Sequence, residues 1–261
     1  MKNNQPRFAK KEFGQNFLQD QNIIHKIANV FPITNENVLE IGPGRGALTK
    51  ALLPSAKSVT SYEIDQDMVD VLNAEISDPK FNLIHQDFLQ SDLSKIEESY
   101  LIANIPYYIT TDILFKVFEH KEKFKGVLLM VQKEVAQRIC AKINTSDYSK
   151  LSVSAQYLAN CKIEFIVPRG CFVPAPKVDS AIISLVFKPE ISSQDWNKHK
   201  EFFKLCFANR RKKLSYALSA KYPKEQILAA YMAMGYDDNI RIQQLTVDQI
   251  VKLHNLLAKE A

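Results

Sequence analysis

From about residue 37 the chain alternates short, continuous apolar runs with segments of helical period. VLEIG, SVTSYEI, FNLIHQD, YLIANI and VLLMVQ are too short for helices and are bounded by turn residues, so they predict buried strands. Between them GALTKALL, QDMVDVLNAEI and TTDILFKVFEH carry apolar residues at helical spacing. Strand–helix–strand order with near-continuous apolar strands predicts a parallel sheet covered on both faces. After Gln132, KEVAQRICAKI and LSVSAQYLAN read as helices. The β-rich runs IEFIV and SAIISLVF, with the proline-rich CFVPAPKVD between them, predict an antiparallel addition to the sheet edge. Composition shifts near KPEISSQDW, and beyond it only helical periodicity remains, in WNKHKEFFKLCFA, RKKLSYAL, KEQILAAYMAMG and TVDQIVKLHNLLAK. The expected organisation is an α/β domain over residues 1–188 and a small all-helical domain over 189–261.

The 261 residues, 46% of them hydrophobic, suffice for one large core or for a core and a small second domain. No run approaches the roughly 18–20 apolar residues that a membrane helix needs. The start, MKNNQPRFAKKEFGQNF, is polar and basic, so no secretory signal and no membrane partner are expected. Four cysteines, Cys140, Cys161, Cys171 and Cys206, are far apart and form no CxxC pair. They read as reduced thiols of a cytoplasmic protein with no metal site. The net charge of +5 is unevenly spread. Basic residues gather at Lys10-Lys11 and at Arg210-Arg211-Lys212-Lys213, clusters that suit a polyanion, with a solvated surface as the plain alternative. Four consecutive cations on a helix would point around it at about 100° per residue. A helix start or an exposed corner is therefore expected at 210–213.

The chemistry gathers at strand ends. The first strand runs into EIGPGRGALT, where Gly42, Gly44 and Gly46 permit a sharp turn and close approach of a ligand to the backbone. The second ends in YEID. Glu63 there can take both hydroxyls of a ribose, whether of a nicotinamide cofactor or of S-adenosylmethionine, and Asp65 is expected to cap the next helix. The third ends in HQDFL, where Asp87 can accept a hydrogen bond from an adenine amino group with Phe88 packed nearby. The fourth ends in Asn104-Ile105-Pro106-Tyr107. The Asn104 amide oxygen and the Ile105 carbonyl can both accept from a planar exocyclic NH2, Pro106 fixes the turn, and Tyr107 offers a face for a base. A hydride-transferring enzyme has no use for that turn; one that methylates an amino group does. Tyr108 is expected to be a packing residue.

Taken together, these motifs resemble the ribosomal RNA adenine N6,N6-dimethyltransferase family, with the small-subunit branch as the best match, over nearly the whole chain. The resemblance implies a Rossmann-like methyltransferase domain with a helical RNA-binding domain, and S-adenosylmethionine as cofactor. FGQNFL implies that Asn16 and Leu18 touch the cofactor, EIGPGRGALT implies the same of Gly42, YEID of Glu63 on the ribose and QDFL of Asp87 near the adenine. NIPYYIT gives Asn104 at the methyl-transfer centre, and the position before PAPKVD implies that Phe172 covers the second face of the target base. VQKEVAQRI and FVPAPKVDSAI are similar to the family's own segments, as are RRKKL and RIQQLTVDQ in its helical part. The branch usually carries Asn-Leu-Pro-Tyr-Asn-Ile-Ser where this chain has NIPYYIT, and Tyr-Gly where it has Tyr148-Ser149.

The implied activity is dimethylation of two adjacent adenosines near the 3′ end of 16S rRNA in the immature 30S subunit, by a monomer with a role in subunit maturation. The related large-subunit resistance methyltransferases often carry Asn-Ile-Pro-Tyr and share the chemistry on another RNA. A non-catalytic assembly factor would keep the basic surface without needing Asn104.

Overall fold

The structure is a computed structural model and describes Lys10 and residues 14–259. In chain order its elements are β1 (Phe17–Leu18), α1 (Gln21–Ala28), β2 (Asn37–Ile41), α2 (Ala47–Leu52), β3 (Ser58–Glu63), α3 (Gln66–Glu75), β4 (Phe81–His85), β5 (Ser99–Asn104), α4 (Thr110–Glu119), β6 (Phe124–Gln132) and α5 (Lys133–Ile139). Then come α6 (Lys150–Leu158), β7 (Ala159–Val167), β8 (Phe172–Val173), β9 (Ser180–Phe187), α7 (Ser193–Phe207), α8 (Leu214–Leu218), α9 (Lys224–Met234) and α10 (Val247–Lys259).

Seven strands form one sheet in the order β4-β3-β2-β5-β6-β9-β7. The pairs from β4 through to β6 are parallel, and β9 joins β6 antiparallel, with Val131 opposite Ala181. Apolar residues of the central strands, Leu101, Ile102, Val127, Leu129 and Ile183, are buried because helices cover both faces. Strand order reverses between β2 and β5, so the crevice beyond their carboxyl ends is where a ligand of a doubly wound sheet sits. The α/β reading and the antiparallel closing strand both agree with this topology. The two-residue ribbon of β1 and β8 was not anticipated, being too short to show a period, nor was α1.

Two compact units emerge: residues up to Ala136 together with Lys162–Phe187, and Gln137–Cys161 together with Lys188 onward. This division differs from a boundary at 188/189, because α6 and the last residues of α5, from Gln137, belong with the C-terminal helices. The helix read through Asn160 stops at Leu158, where Ala159 turns extended (φ −145°, ψ 157°) and begins β7. Within the helical unit α7 packs on α6 and α8, and α10 on α9. Trp196, Phe202, Phe203 and Tyr148 are buried there, and the Tyr148 hydroxyl donates to the Leu245 carbonyl at 3.0 Å. Ser192 and Asp195 cap α7 reciprocally, and Gly235 closes α9 in the left-handed region (φ +67°).

That core contains a polar pair. His199 on α7 and His254 on α10, both buried, meet Nδ1 to Nδ1 at 2.8 Å, with Phe202 stacked on His254 at 4.3 Å. Such a contact uses one N–H and one lone pair, so a second proton would set two donors face to face. Burial pushes His254 down to about 4, helped by His199, Lys198 and Lys221. The native state thus holds His254 neutral while the unfolded chain protonates it near 6.5. The stability contributed is present above that value and is lost as pH falls towards 4. The urea midpoint of the full chain should fall between pH 7 and pH 4.5, and less steeply for His254→Phe. Parallel curves for the two proteins would show that the pair is not the titrating element.

Candidate active site

A cavity of about 600 Å3 lies at the carboxyl ends of β2, β3 and β5, within the usual size of a small-molecule site. Its floor is the turn after β2. Gly42, Gly44 and Gly46 all adopt positive φ (+64°, +57° and +74°). At Gly46, which precedes the six-residue α2, a Cβ would lie 2.9 Å from both Leu72 and Ile76, so the turn also needs the missing side chain. Gly44 seats the Phe17 ring, 3.1 Å from where its Cβ would be.

Glu63, at the end of β3, is 5% exposed. Its Oε1 accepts the Ile64 and Asp65 N–H groups (both 2.9 Å), and its Oε2 accepts the Gly44 N–H at 3.1 Å. Burial pushes this carboxyl up, against the opposing pull of those N–H donors. Oε2 keeps a lone pair for a ligand hydroxyl. Asp87 lines the cavity and accepts the Leu89 N–H at 2.9 Å, beside Phe88, which meets Tyr62 edge to face.

The N-terminal segment closes one wall. Gly14 through Gln19 line the cavity, Leu18 among them, and the segment is tied down by Asp65. Asp65 caps α3 as expected, and it also accepts Lys10 Nζ at 2.6 Å and Gln15 Nε2 at 2.7 Å. Burial alone would raise the Asp65 carboxyl; these donors outweigh it and hold it below the usual range. Lys10 therefore does not stand free for RNA: it is paired with Asp65 and, at 3.1 Å, with Asp67. Lys11 lies outside the described residues.

The turn after β5 faces this segment. Asn104 Nδ2 donates to the Asn16 carbonyl at 3.2 Å, and Asn16 Nδ2 to the Gly14 carbonyl at 2.9 Å. Among the described residues no hydrogen bond engages Asn104 Oδ1, and no turn or loop hydrogen bond uses the Ile105 carbonyl. Two acceptors thus remain beside each other at the strand end. Pro106 (φ −59°) leads into a single 3-10 turn over Tyr107–Ile109. Tyr107 is half-buried and its hydroxyl meets Ser180 Oγ at 2.6 Å, which fixes the ring. Tyr108 is not a packing residue in the expected sense, being 63% exposed.

Phe172 requires a correction. It lies in β8 opposite Leu18, is 2% exposed, and belongs to the hydrophobic core rather than to the cavity lining. Alternation along the strand sends Phe172 inward and Val173 outward, so Phe172 offers no free face to a base.

One residue that sequence reading passed over is Glu40. It lines the cavity yet is 1% exposed, accepting the Thr49 and Ser61 hydroxyls at 2.7 and 2.8 Å. Burial pushes its carboxyl up to about 7. A glutamate inside an apolar strand was the available signal. The thiols take no part: burial raises all four, Cys161 to about 12, so none is a ready thiolate.

In the helical unit the four cations precede α8, at the corner expected for them. Their roles diverge. Arg210 donates to the Thr145 and Ser146 carbonyls at 2.8 and 2.6 Å and so fastens a loop. Lys213 pairs with Asp238 at 3.1 Å, and Lys212 sits 3.6 Å over the Tyr216 ring. Arg211 and Lys212 are exposed along a groove of about 650 Å3 shared with Lys224 and Arg241. No helix among the described residues is long and apolar enough to cross a membrane.

A glycine turn at the switch point of a parallel sheet, a buried carboxylate with a spare lone pair and a turn that presents two acceptors are what a Rossmann-like methyltransferase domain calls for. Comparison with known proteins narrows this. Residues 7–259 match the family described as ribosomal RNA adenine dimethylase. The chain is 55% identical over 251 residues to ribosomal RNA small subunit methyltransferase A of Mycoplasmopsis synoviae (strain 53), covering 95% of this chain and 97% of that one. Among solved structures it is similar to a dimethyladenosine transferase from Plasmodium falciparum, with a TM-score of 0.83 and 27% identity over 94% of this chain and 98% of the other. It also resembles the 23S rRNA methyltransferase ErmE, with a TM-score of 0.70 and 29% identity over 93% and 100% of the two chains. The chain belongs to the ribosomal RNA adenine dimethylase family.

Its reaction is therefore dimethylation of adenine in ribosomal RNA, with S-adenosylmethionine as the methyl donor. The residues present fit that donor: Glu63 is a buried carboxylate with a spare lone pair for hydroxyls, and with Glu40 and Asp87 it makes three acidic side chains lining the cavity, which suits a cationic ligand. Replacing Glu63 with alanine should weaken S-adenosylmethionine binding by about 1.5–3 kcal/mol, the scale of a hydrogen bond to a charged group. Calorimetry on the folded variant checks this, and unchanged affinity would remove Glu63 from the site.

Proposed function

We propose that the chain dimethylates the N6 amino groups of two adjacent adenosines near the 3′ end of 16S rRNA. It acts in the cytoplasm, as a monomer, on the immature 30S subunit and takes part in that subunit's maturation. Asn16, Leu18, Gly42, Gly44, Glu63 and Asp87 would hold the cofactor. When bound, S-adenosylmethionine supplies a methyl group on a sulfonium, whose transfer needs no acid. The remaining difficulty lies with the nucleophile, because the adenine N6 lone pair is delocalised into the ring.

Asn104 Oδ1 and the Ile105 carbonyl, accepting the two N6 hydrogens, would draw the nitrogen towards tetrahedral geometry and localise that pair. This is preorganisation, and it calls for no general base, since the proton leaves after transfer. Tyr107, its hydroxyl held by Ser180, would stack one face of the flipped adenine. Arg211 and Lys212 would meet phosphates, adding affinity without sequence choice. The observation that carries this reading is the engagement of Asn104 Nδ2 by the Asn16 carbonyl, which leaves Oδ1 as the acceptor.

A second reading, methylation of 23S rRNA, is favoured by the Asn-Ile-Pro-Tyr turn and by the similarity to ErmE. Labelled methyl transfer to unmodified 30S and 50S particles separates the two, with the modified adenosines mapped. Label on two adjacent 16S adenosines is the expected outcome. Label confined to 23S rRNA would establish the second reading, and no label in either particle would overturn both.

A further inference from the structure

We infer that Tyr108 is a second stacking platform, which receives the base next to the target adenosine and so helps set RNA affinity. The inference rests on the RNA reading above and adds a residue to it. In a 3-10 turn successive side chains diverge by about 120°. Tyr107 takes the inward direction and is fastened to Ser180, so its neighbour is turned out. Tyr108 is 63% exposed, and among the described residues its hydroxyl makes no hydrogen bond. An aromatic side chain this exposed at a cavity rim has a large apolar surface left to cover.

The ring is nonetheless seated. Gly14 has φ +59°, and a Cβ on it would come within 3.3 and 3.4 Å of two Tyr108 ring carbons. The ring thus rests on bare backbone that a larger residue would displace. That backbone is itself anchored, by Gln15 to Asp65 and by Asn16 to Asn104. Both Gly14 and Tyr108 line the cavity, so the platform stands at the edge of the space where Asn104 offers its acceptor. A platform held at its base and open above suits stacking, because little side-chain freedom remains to be lost on binding.

Flipping an adenosine out of its stack bares a face of the neighbouring base. An aromatic ring at the mouth can cover that face, and stacking of this kind is tolerant of base identity.

The test compares wild type, Tyr108→Ala and Tyr108→Phe on 30S particles carrying unmethylated 16S rRNA. Initial rates are measured at varied particle concentration, and calorimetry gives cofactor affinity. Tyr108→Ala should raise KM for the particle roughly tenfold, the scale of one lost base–aromatic stack. Its kcat and S-adenosylmethionine affinity should stay near wild type, and Tyr108→Phe should restore KM. An unchanged KM in Tyr108→Ala overturns the inference. So does a matching loss of cofactor affinity, which would make Tyr108 part of the cofactor wall, or failure of phenylalanine to restore KM, which would assign the effect to the hydroxyl. If wild type itself leaves the particle unmethylated, the RNA reading fails instead.

Discussion

One hydrogen bond joins the two halves of the site: Asn104 Nδ2 to the Asn16 carbonyl, 88 residues apart in the chain. It holds the N-terminal wall of the cavity against the turn proposed to receive the amine. It also commits the nitrogen end of the amide to the N-terminal segment, so that the oxygen end is left as an acceptor, which an NH2 substrate requires. The wall it touches is secured from the other side by Asp65, whose buried carboxylate takes Lys10 and Gln15. The proposed cofactor enclosure and amine recognition therefore rest on the same few side chains. A shift of the segment at Asn16 would move both.

Electrostatics point the same way. Glu40 on β2 and Glu63 at the end of the neighbouring β3 are both buried, and burial raises both carboxyls. Glu40 is accommodated by two hydroxyls and Glu63 by three backbone N–H groups, so neither is left without partners. Two carboxylates made uncomfortable by burial favour a cationic ligand, because a nearby positive charge stabilises their ionised form. That preference suits a sulfonium donor and would weaken once the methyl group has gone and the charge with it.

Much of this was legible in the sequence, for physical reasons. Parallel strands buried on both faces read as continuous apolar runs, and the positions just after them are where a doubly wound sheet keeps its ligands, so the placing of Glu63, Asp87 and Asn104 around one cavity was legible from spacing. Contacts between distant segments were not legible. Nothing local told that Lys10 meets an aspartate 55 residues away, or that Arg210 fastens the loop at Thr145 and Ser146 rather than standing free. Phe172 misled because a two-residue strand shows no alternation from which to read its inward face. Tyr108 misled in the opposite sense, since a 3-10 turn separates two adjacent tyrosines that sequence alone cannot tell apart. The helical unit draws α6 from before β7, a non-contiguous assembly that a shift in composition at residue 188 does not reveal.

The proposed mechanism turns on activation of the amine by the free acceptor of Asn104. Single-turnover methylation by Asn104→Ala, with cofactor and RNA bound at saturation, isolates that step. The expected rate is lower by roughly two orders of magnitude or more, the scale for losing one preorganised polar group. RNA affinity should be largely kept, because phosphate contacts supply most of it. A variant that binds both ligands and methylates at the wild-type rate would rule out amine activation by Asn104.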